Sequence, residues 1–264
     1  MGFSSKLKQE VWRLLEAEHK DPFMNMAVEE TIARSVGKRA VPNTVRLWRN
    51  LDAVVIGSYQ DVNSEVNPEL CAGRNIKIVR RFTGGGAVYH DRGNLNFAIA
   101  LSQDHPLVRT DLLDTFEVLS EGVIRAIRIL GIRDVEWKSD NSILIKNLKV
   151  SGLAGCVRWG AFFCHGSILV SSNLSLIPQI LCSREPADHR FVRSLRKTMT
   201  TVSHESGRHV SMSEMKTVLR EGFEDALGIR LLEGKLTREE LVVASRLLQE
   251  KYSTVSWNLG NPWE

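Results

Sequence analysis

The spacing of hydrophobic positions changes period along the chain, and each change marks an element. Residues 11–15 are a short apolar run that predicts a first strand. Asp21-Pro22 then offers a capping side chain with proline at the first helical position, and Met24, Val28 and Ile32 recur at helical spacing, so a helix is predicted to about Val36 with those residues on its inner face. Residues 44–49 and 53–58 read as a hairpin turning at Asn50-Leu51-Asp52. A short helix at 68–74 leads into a strand at 76–79, and Leu95, Phe97 and Ile99 alternate with Asn96 and Ala98 in a strand at 94–101.

Leu112, Phe116, Leu119, Val123, Ala126 and Leu130 step by four and three, an amphipathic helix that Gly131 ends, and these positions are assigned to the core. Strands are predicted at 135–138, 142–145, 149–151 and 162–170, with turns at Lys146-Asn147 and Arg158-Trp159-Gly160. Residues 174–181 predict a helix that tolerates Pro178 only in its first turn. Residues 183–208 are polar and irregular, a long loop or a lid. Ser211-x-x-Glu214 and Thr237-x-x-Glu240 are capping boxes, each opening an amphipathic helix; Gly228 closes the first, and the second runs to about Tyr252. The sum is an α+β chain of mixed or antiparallel sheets flanked by helices, with no internal repeat.

Length and composition narrow this further. At 264 residues and 43% hydrophobic content, a single domain spanning 1–264 with a substantial core is expected. No apolar run approaches the ~18 residues of a membrane span, and the opening MGFSSKLKQE lacks an apolar secretory core, so the expected location is the cytoplasm. Cys71, Cys156, Cys164 and Cys182 show no C-x-x-C spacing, which argues against a zinc site or a disulfide framework. A net charge of +4 does not require nucleic acid, and no nucleic-acid partner is expected; ATP or an acidic acceptor domain accounts for the sign by steering. His189, Arg190, Arg193, Arg196 and Lys197 form a basic cluster, either a solvated face or a docking surface.

Candidate chemistry concentrates at 80–96, RRFTGGGAVYHDRGNLN. Gly84, Gly85 and Gly86 remove every Cβ from one stretch of loop, so a ligand can lie against backbone N–H and C=O groups, and positive φ carries no steric cost. The plain alternative is a tight hairpin with two surface arginines. The spacing is neither a dinucleotide fingerprint nor a Walker loop, and Ala87-Val88-Tyr89 is strand-like, so a helix N-terminus does not supply the anion site. A second stretch, 141–170, brings Lys149 followed by Ser151-Gly152, and then His165-Gly166-Ser167.

Together these stretches resemble the lipoate-protein ligases, adenylating enzymes related to biotin ligases and class II aminoacyl-tRNA synthetases. The resemblance runs from Asn25-Met26-Ala27 through Val55-Ile56-Gly57-Ser58-Tyr59-Gln60 to Trp257-Asn258-Leu259-Gly260, and its most specific part is Arg-Arg-x-x-Gly-Gly-Gly-x-x-x-His-Asp. It implies the fold of that catalytic domain and an ATP-dependent reaction in which lipoate or octanoate is activated to an acyl-AMP such as lipoyl-AMP and passed to a carrier lysine. Adenylation brings two anions together, so fixed cations and backbone donors are needed around the reacting oxygens.

By resemblance Lys149 is the catalytic cation, Arg80 contacts ATP, and Gly84, Gly85, Gly86, Ala87 and Val88 form the nucleotide and acyl-adenylate loop. Arg81 is a further candidate of the same motif. His90, Asn94, Gly152 and His165 join the binding set, and the corner at 57–60 borders the acyl pocket or is a plain strand end. Asn141 stands where the family carries the Asn of an Asn-Asp pair; the partner position is Ser142, which brings no charge, and the acidic neighbour is Asp140. The implied cofactors are ATP, magnesium (Mg2+) and lipoate, with no metal ligands read from the sequence itself. The implied acceptors are lipoyl carrier domains such as 2-oxoacid dehydrogenase E2 or the glycine cleavage H protein.

Octanoyl and lipoyl transferases on the same fold work without ATP through a cysteine upstream of the lysine. Residues 131–148 contain none, and Cys156 and Cys164 read as inert core thiols. The alternatives to a ligase are therefore such a transferase or a non-catalytic lipoyl-binding subunit. In many relatives the Trp-Asn-x-Gly segment leads into a C-terminal accessory domain. Here that domain is expected on a separately encoded small subunit, with this chain a monomeric large subunit.

Overall fold

The computed structural model describes residues 9–182 and 198–260. Its strands are β1 (Glu10–Leu15), β2 (Thr44–Trp48), β3 (Ala53–Ile56), β4 (Lys77–Arg80), β5 (Val88–His90), β6 (Asn94–Ser102), β7 (Val135–Lys138), β8 (Ser142–Ile145), β9 (Leu148–Arg158), β10 (Ala161–Leu169) and β11 (Ile229–Glu233). The long helices are α1 (Pro22–Gly37), α2 (Leu112–Ile129), α3 (Met212–Leu227) and α4 (Arg238–Leu247). A large sheet runs β11-β1-β2-β6-β10-β9-β8-β7, and a small one runs β4-β3-β5. β1 is parallel to β11 and β2, β3 is parallel to β4, and the remaining pairs are antiparallel, so the sheets are mixed and flanked by helices. No described helix is long and apolar enough to cross a membrane.

Alternation along the central strands sorts side chains to two faces. Val45, Leu47, Leu95, Phe97, Ile99 and Leu101 pack with Phe116, Leu119 and Val123 of α2 and with Leu219 and Phe223 of α3. On the opposite face, Ala98, Ala100 and Phe163 pack against Val28, Ile32 and Val36 of α1 and Ala244 of α4. α1 is capped by Asp21, whose carboxylate accepts from Phe23 N at 3.0 Å, as the Asp-Pro pair predicts. It is buried well beyond the predicted stripe: Asn25, Glu29 and Glu30 are fully enclosed, because the small sheet covers its second side. Thr237 and Glu240 form the reciprocal capping box of α4, and Glu240 also pairs bidentately with Arg13 of β1 at 2.7 Å. One carboxylate thus starts the helix and docks it.

The hairpin expected at 44–58 does not form. β2 lies in the large sheet and β3 at the centre of the small one. Both are buried on both faces, so they lack the alternation that would set a two-stranded register, and Asn50 between them is buried rather than a turn tip. The strand expected at 149–151 extends over Leu148–Arg158, since its glycines serve close strand approach instead of ending the strand. The turns at Lys146-Asn147 and Trp159-Gly160 are both left-handed pairs, as tight hairpins need. Of the stretch read as a loop or lid, residues 183–197 lie outside the described residues, and the basic cluster with them. Residues beyond it are ordered partners of the sheet: Met199 bridges to Lys149, and Val202–Glu205 is a short helix.

Candidate active site

A cavity of about 650 Å³ lies where β6, β9 and β10 of the large sheet face β3 and the glycine loop. Its walls mix apolar groups, among them Met26, Trp48, Val55, Phe97 and Leu153, with Arg81, His90, Asn141, Lys149 and His165.

Arg81 shapes the loop from beneath. Its Nη2 donates to the carbonyls of Gly84 at 2.7 Å and Gly86 at 2.9 Å, its Nη1 to that of Val55 at 3.2 Å, and its Nε to Thr83 Oγ1 at 3.1 Å. Burial lowers its pKa to about 10, with Glu29 acting the other way, so it stays charged at neutral pH. With those carbonyls turned to the guanidinium, the N–H groups of Gly84, Gly85, Gly86 and Ala87 have no acceptor among the described residues, and Gly85, Gly86 and Ala87 line the cavity. This is a donor cradle for an anion. Gly85 has φ 89°, which a β-branched residue resists, and a Cβ on Gly57 would come within 2.1 Å of the Gly85 carbonyl. The corner after β3 and the loop therefore fit together only with glycine at 57.

Lys149 is held on a β-bulge. Ile143 pairs with Ser151 and Leu144 with Lys149, which leaves Val150 as the extra residue and re-aims the lysine. On its other side Lys149 N donates to Thr198 O, and its carbonyl accepts from Thr200 N, both at 2.9 Å. A Cβ on Gly152 would lie 3.0 Å from Nζ, so glycine there gives the ammonium its room. Asn141, left-handed at φ 60°, accepts Leu153 N on its carbonyl, while its Oδ1 has no partner among the described residues. Asp140 lines the cavity, whereas Ser142 is fully buried in β8 and does not. The acidic group beside Asn141 thus reaches the cavity from the preceding position.

In their neutral forms the two histidines take opposite tautomers. Arg46 Nη2 donates to Asn25 Oδ1 at 2.7 Å, so Asn25 Nδ2 donates to Asn50 Oδ1 at 3.0 Å, and Asn50 Nδ2 then donates to His90 Nδ1 at 3.1 Å. The His90 proton is therefore on Nε2. Burial first, then the charges of Arg81 and His165, push this imidazole down to about 3, so it is neutral in the folded protein. His165 Nδ1 instead meets Glu29 Oε2 at 2.7 Å and must donate to that carboxylate, leaving Nε2 to accept from Thr83 Oγ1 at 2.7 Å.

Of the residues expected from the sequence, Gly85, Gly86, Ala87, Val88, His90, Asn141, Lys149, Gly152 and His165 meet in this cavity. Arg80, Gly84 and Asn94 do not line it. Arg80 lies on the other side of the strand end, where its N–H groups go to the carbonyls of Gly57, Ser58, Gln60, Trp257, Asn258 and Gly260. These contacts make it a clamp between the 57–60 corner and the segment after α4. Asn94 is fully buried and donates to Asn96 Oδ1 at 2.8 Å, so it backs the residue that does face the cavity. Gly84 contributes its carbonyl to Arg81.

Glu29, Thr83, Trp48, Asn96 and Asp140 were not read from the sequence as site residues. The chain has four cysteines, all described, and none lines the cavity. Burial pushes Cys156 up to about 11 and raises Cys164 well beyond its ordinary value, which suits inert thiols. Among the described residues no cluster of His, Cys, Asp or Glu could hold a metal ion by itself.

Residues 21–224 match the lipoyl protein ligase A/B catalytic domain family. The chain is similar to octanoyltransferase LipM of Brevibacillus brevis, 31% identical over 95% of this chain and 99% of the relative. It is also similar to a solved bi-partite lipoate protein ligase from Thermoplasma acidophilum, described with its E2 lipoyl domain, at 32% identity and TM-score 0.83 over 96% of this chain and 97% of that one. A lipoate-protein ligase A bound with ATP superposes with TM-score 0.81 at 32% identity, covering 94% of this chain and 98% of that one.

Proposed function

The chain belongs to the lipoyl protein ligase A/B catalytic domain family, and from that premise we propose that it is an ATP-dependent lipoate-protein ligase, joining lipoate or octanoate to a lysine of a lipoyl carrier domain. The observation that carries this reading is the pairing, in one cavity, of an anion cradle and a lysine with a lining that holds no thiol. In the first step the substrate carboxylate attacks the α-phosphate of ATP and pyrophosphate leaves. The Lys149 ammonium neutralises charge between the two anions, and the N–H groups of Gly85, Gly86 and Ala87 receive the anionic end. In the second step the carrier lysine, as a neutral amine, attacks the acyl carbonyl; AMP leaves, and the amine proton passes to solvent.

Met26, Trp48, Val55, Phe97 and Leu153 give the acyl chain an apolar wall. Asp140 and Asn141 would face the magnesium–phosphate end, where Mg2+ brings most of its coordination from phosphates and water. The solved relative bound with ATP supports the nucleotide part of this reading. The bi-partite relative and its E2 lipoyl domain support a carrier domain as acceptor and a small second subunit as partner, with residues 1–264 acting as one catalytic unit.

The likeness to an octanoyltransferase favours a second reading, transfer between carriers without ATP. Purified chain given ATP, magnesium, lipoate and a carrier domain, with the small subunit supplied, is expected to release pyrophosphate and lipoylate the carrier. Octanoyl transfer from an acylated carrier without ATP would replace the ligase with the transferase. Lipoate binding with neither turnover would leave a binding subunit. Lys149→Ala is expected to cut adenylate formation by about two to three orders of magnitude with an unchanged circular dichroism spectrum, since the charge acts in the transition state.

A further inference from the structure

The glycine loop that forms the cradle is the part of the site least able to hold its own shape. Peptide units between glycines rotate at little cost, so the orientation of the Gly84 and Gly86 carbonyls has to be imposed from outside. Arg81 imposes it, and Arg81 is itself oriented by a chain of buried side chains. Thr83 Oγ1 lies 3.1 Å from Arg81 Nε and 2.7 Å from His165 Nε2, and His165 Nδ1 lies 2.7 Å from Glu29 Oε2. Trp48 Nε1 holds the other carboxylate oxygen at 3.0 Å. Glu29 and Thr83 are both fully buried, and neither lines the cavity.

With the His165 ring neutral, donor accounting allows one direction along this chain. A guanidinium only donates, so the Thr83 oxygen accepts from Arg81 and its single proton goes to His165 Nε2. A carboxylate only accepts, so His165 Nδ1 carries the ring proton. Each end of the imidazole is thereby dictated by a neighbour with a fixed role.

We propose that Glu29 is a positioning residue for the acyl-adenylate: through His165 and Thr83 it fixes the Arg81 guanidinium, which turns the loop carbonyls inward and leaves the loop N–H groups facing the ligand. This rests on the reading of the loop as the adenylate cradle given under Proposed function. Glu29→Gln is the sharpest perturbation. Trp48 holds the amide oxygen, so the amide nitrogen faces His165 and donates to Nδ1. The ring proton then moves to Nε2 and displaces the Thr83 proton into a buried site with no other acceptor among the described residues. The change is nearly isosteric but reverses the chain.

The test is calorimetric titration of the full chain with a lipoyl sulfamoyl-adenosine analogue, with nitrogen-15 spectra of the His165 ring. Glu29→Gln and Thr83→Val are each expected to weaken binding by about tenfold or more, and Thr83→Ser to restore it, the scale of one buried hydrogen bond. Gly85→Val is run in parallel and is expected to abolish binding. If Gly85→Val binds normally, the cradle reading falls and this inference with it. If Gly85→Val fails to bind while Glu29→Gln and Thr83→Val bind like the parent, only the inference falls. Should a variant not fold, the unsubstituted protein decides: a ligand-free His165 protonated on Nε2 alone overturns the proposal, and one protonated on Nδ1 supports it.

Discussion

Arg80 and Arg81 are neighbours in sequence, both are buried, and they hold different parts of the molecule together. Arg80 closes the last position of β4, and its side chain gathers carbonyls from the 57–60 corner and from Trp257, Asn258 and Gly260. Arg81 leaves the strand end on the other side and gathers the carbonyls of Val55, Gly84 and Gly86. Neither forms a bidentate pair with a carboxylate among the described residues. Each uses the planar fork for several backbone oxygens at once, a task an ammonium performs poorly. The difference lies in what the held segment does next: the Arg80 clamp fastens the end of the described chain to the rim, whereas the Arg81 clamp leaves N–H groups facing the cavity. A buried arginine beside the cavity is thus a scaffold in both cases, and only the second also shapes the cavity's lining.

The contrast breaks first at Arg80. Arg80→Ala would strand several buried carbonyls, each costing ~1–3 kcal/mol, so a loss above about 4 kcal/mol is expected in urea unfolding. The folded fraction should still bind the adenylate analogue within about tenfold of the parent. A stable variant that binds nothing would reverse the assignment of the two arginines. Arg81→Lys comes next, with the signature inverted. An ammonium cannot span the loop carbonyls, so adenylate affinity is expected to fall by about a hundredfold, equivalent to ~2.7 kcal/mol, with a smaller loss of stability. Equal affinity would mean that the charge matters and the fork does not.

Much of this was legible beforehand, for reasons that differ by residue. The glycine run was visible because backbone access is a need that residue type can state, whereas Lys149 and His165 were reached through the resemblance to the family motif. Arg80 lies off the cavity because strand alternation past the end of β4 decides which arginine faces the loop, and no periodicity in the sequence extends that far. The hairpin at 44–58 failed because strands buried on both faces look the same whether they pair with each other or with different sheets. Glu29 was hidden for the opposite reason. In an isolated helix it reads as a solvated charge, and only the covering of α1 by both sheets makes it a buried carboxylate with a histidine partner.

Asn258 sharpens the Arg80 side at smaller cost. Its Oδ1 accepts from Arg80 N at 2.9 Å, and its Nδ2 donates to the carbonyls of Tyr252 at 2.7 Å and Thr254 at 2.8 Å. Asn258→Ala leaves a buried N–H without its acceptor, so a loss of about 1–3 kcal/mol in unfolding free energy is expected, below that of Arg80→Ala. If the two losses matched, the clamp would act as one unit and the guanidinium bonds would carry no separate weight.

The last effect is one of pH, and it belongs to the Arg81 side alone. His90 is held at about 3 by burial and by the charges of Arg81 and His165, against an ordinary value of 6.5. Its folded pKa is depressed, so as pH falls below 6.5 the unfolded chain takes up a proton that the folded one refuses, and stability is lost from there down toward pH 3. One such proton contributes at most about 1.4 kcal/mol per pH unit. His90→Gln keeps an acceptor for Asn50 and removes the titration, so its unfolding free energy is expected to fall less steeply between about pH 6 and pH 4. Arg80 is absent from the causes of the shift, so a mild substitution there should leave that slope as it is. Parallel pH profiles for His90→Gln and the parent would mean that another buried group sets the acid limb and that His90 does not report on the Arg81 side.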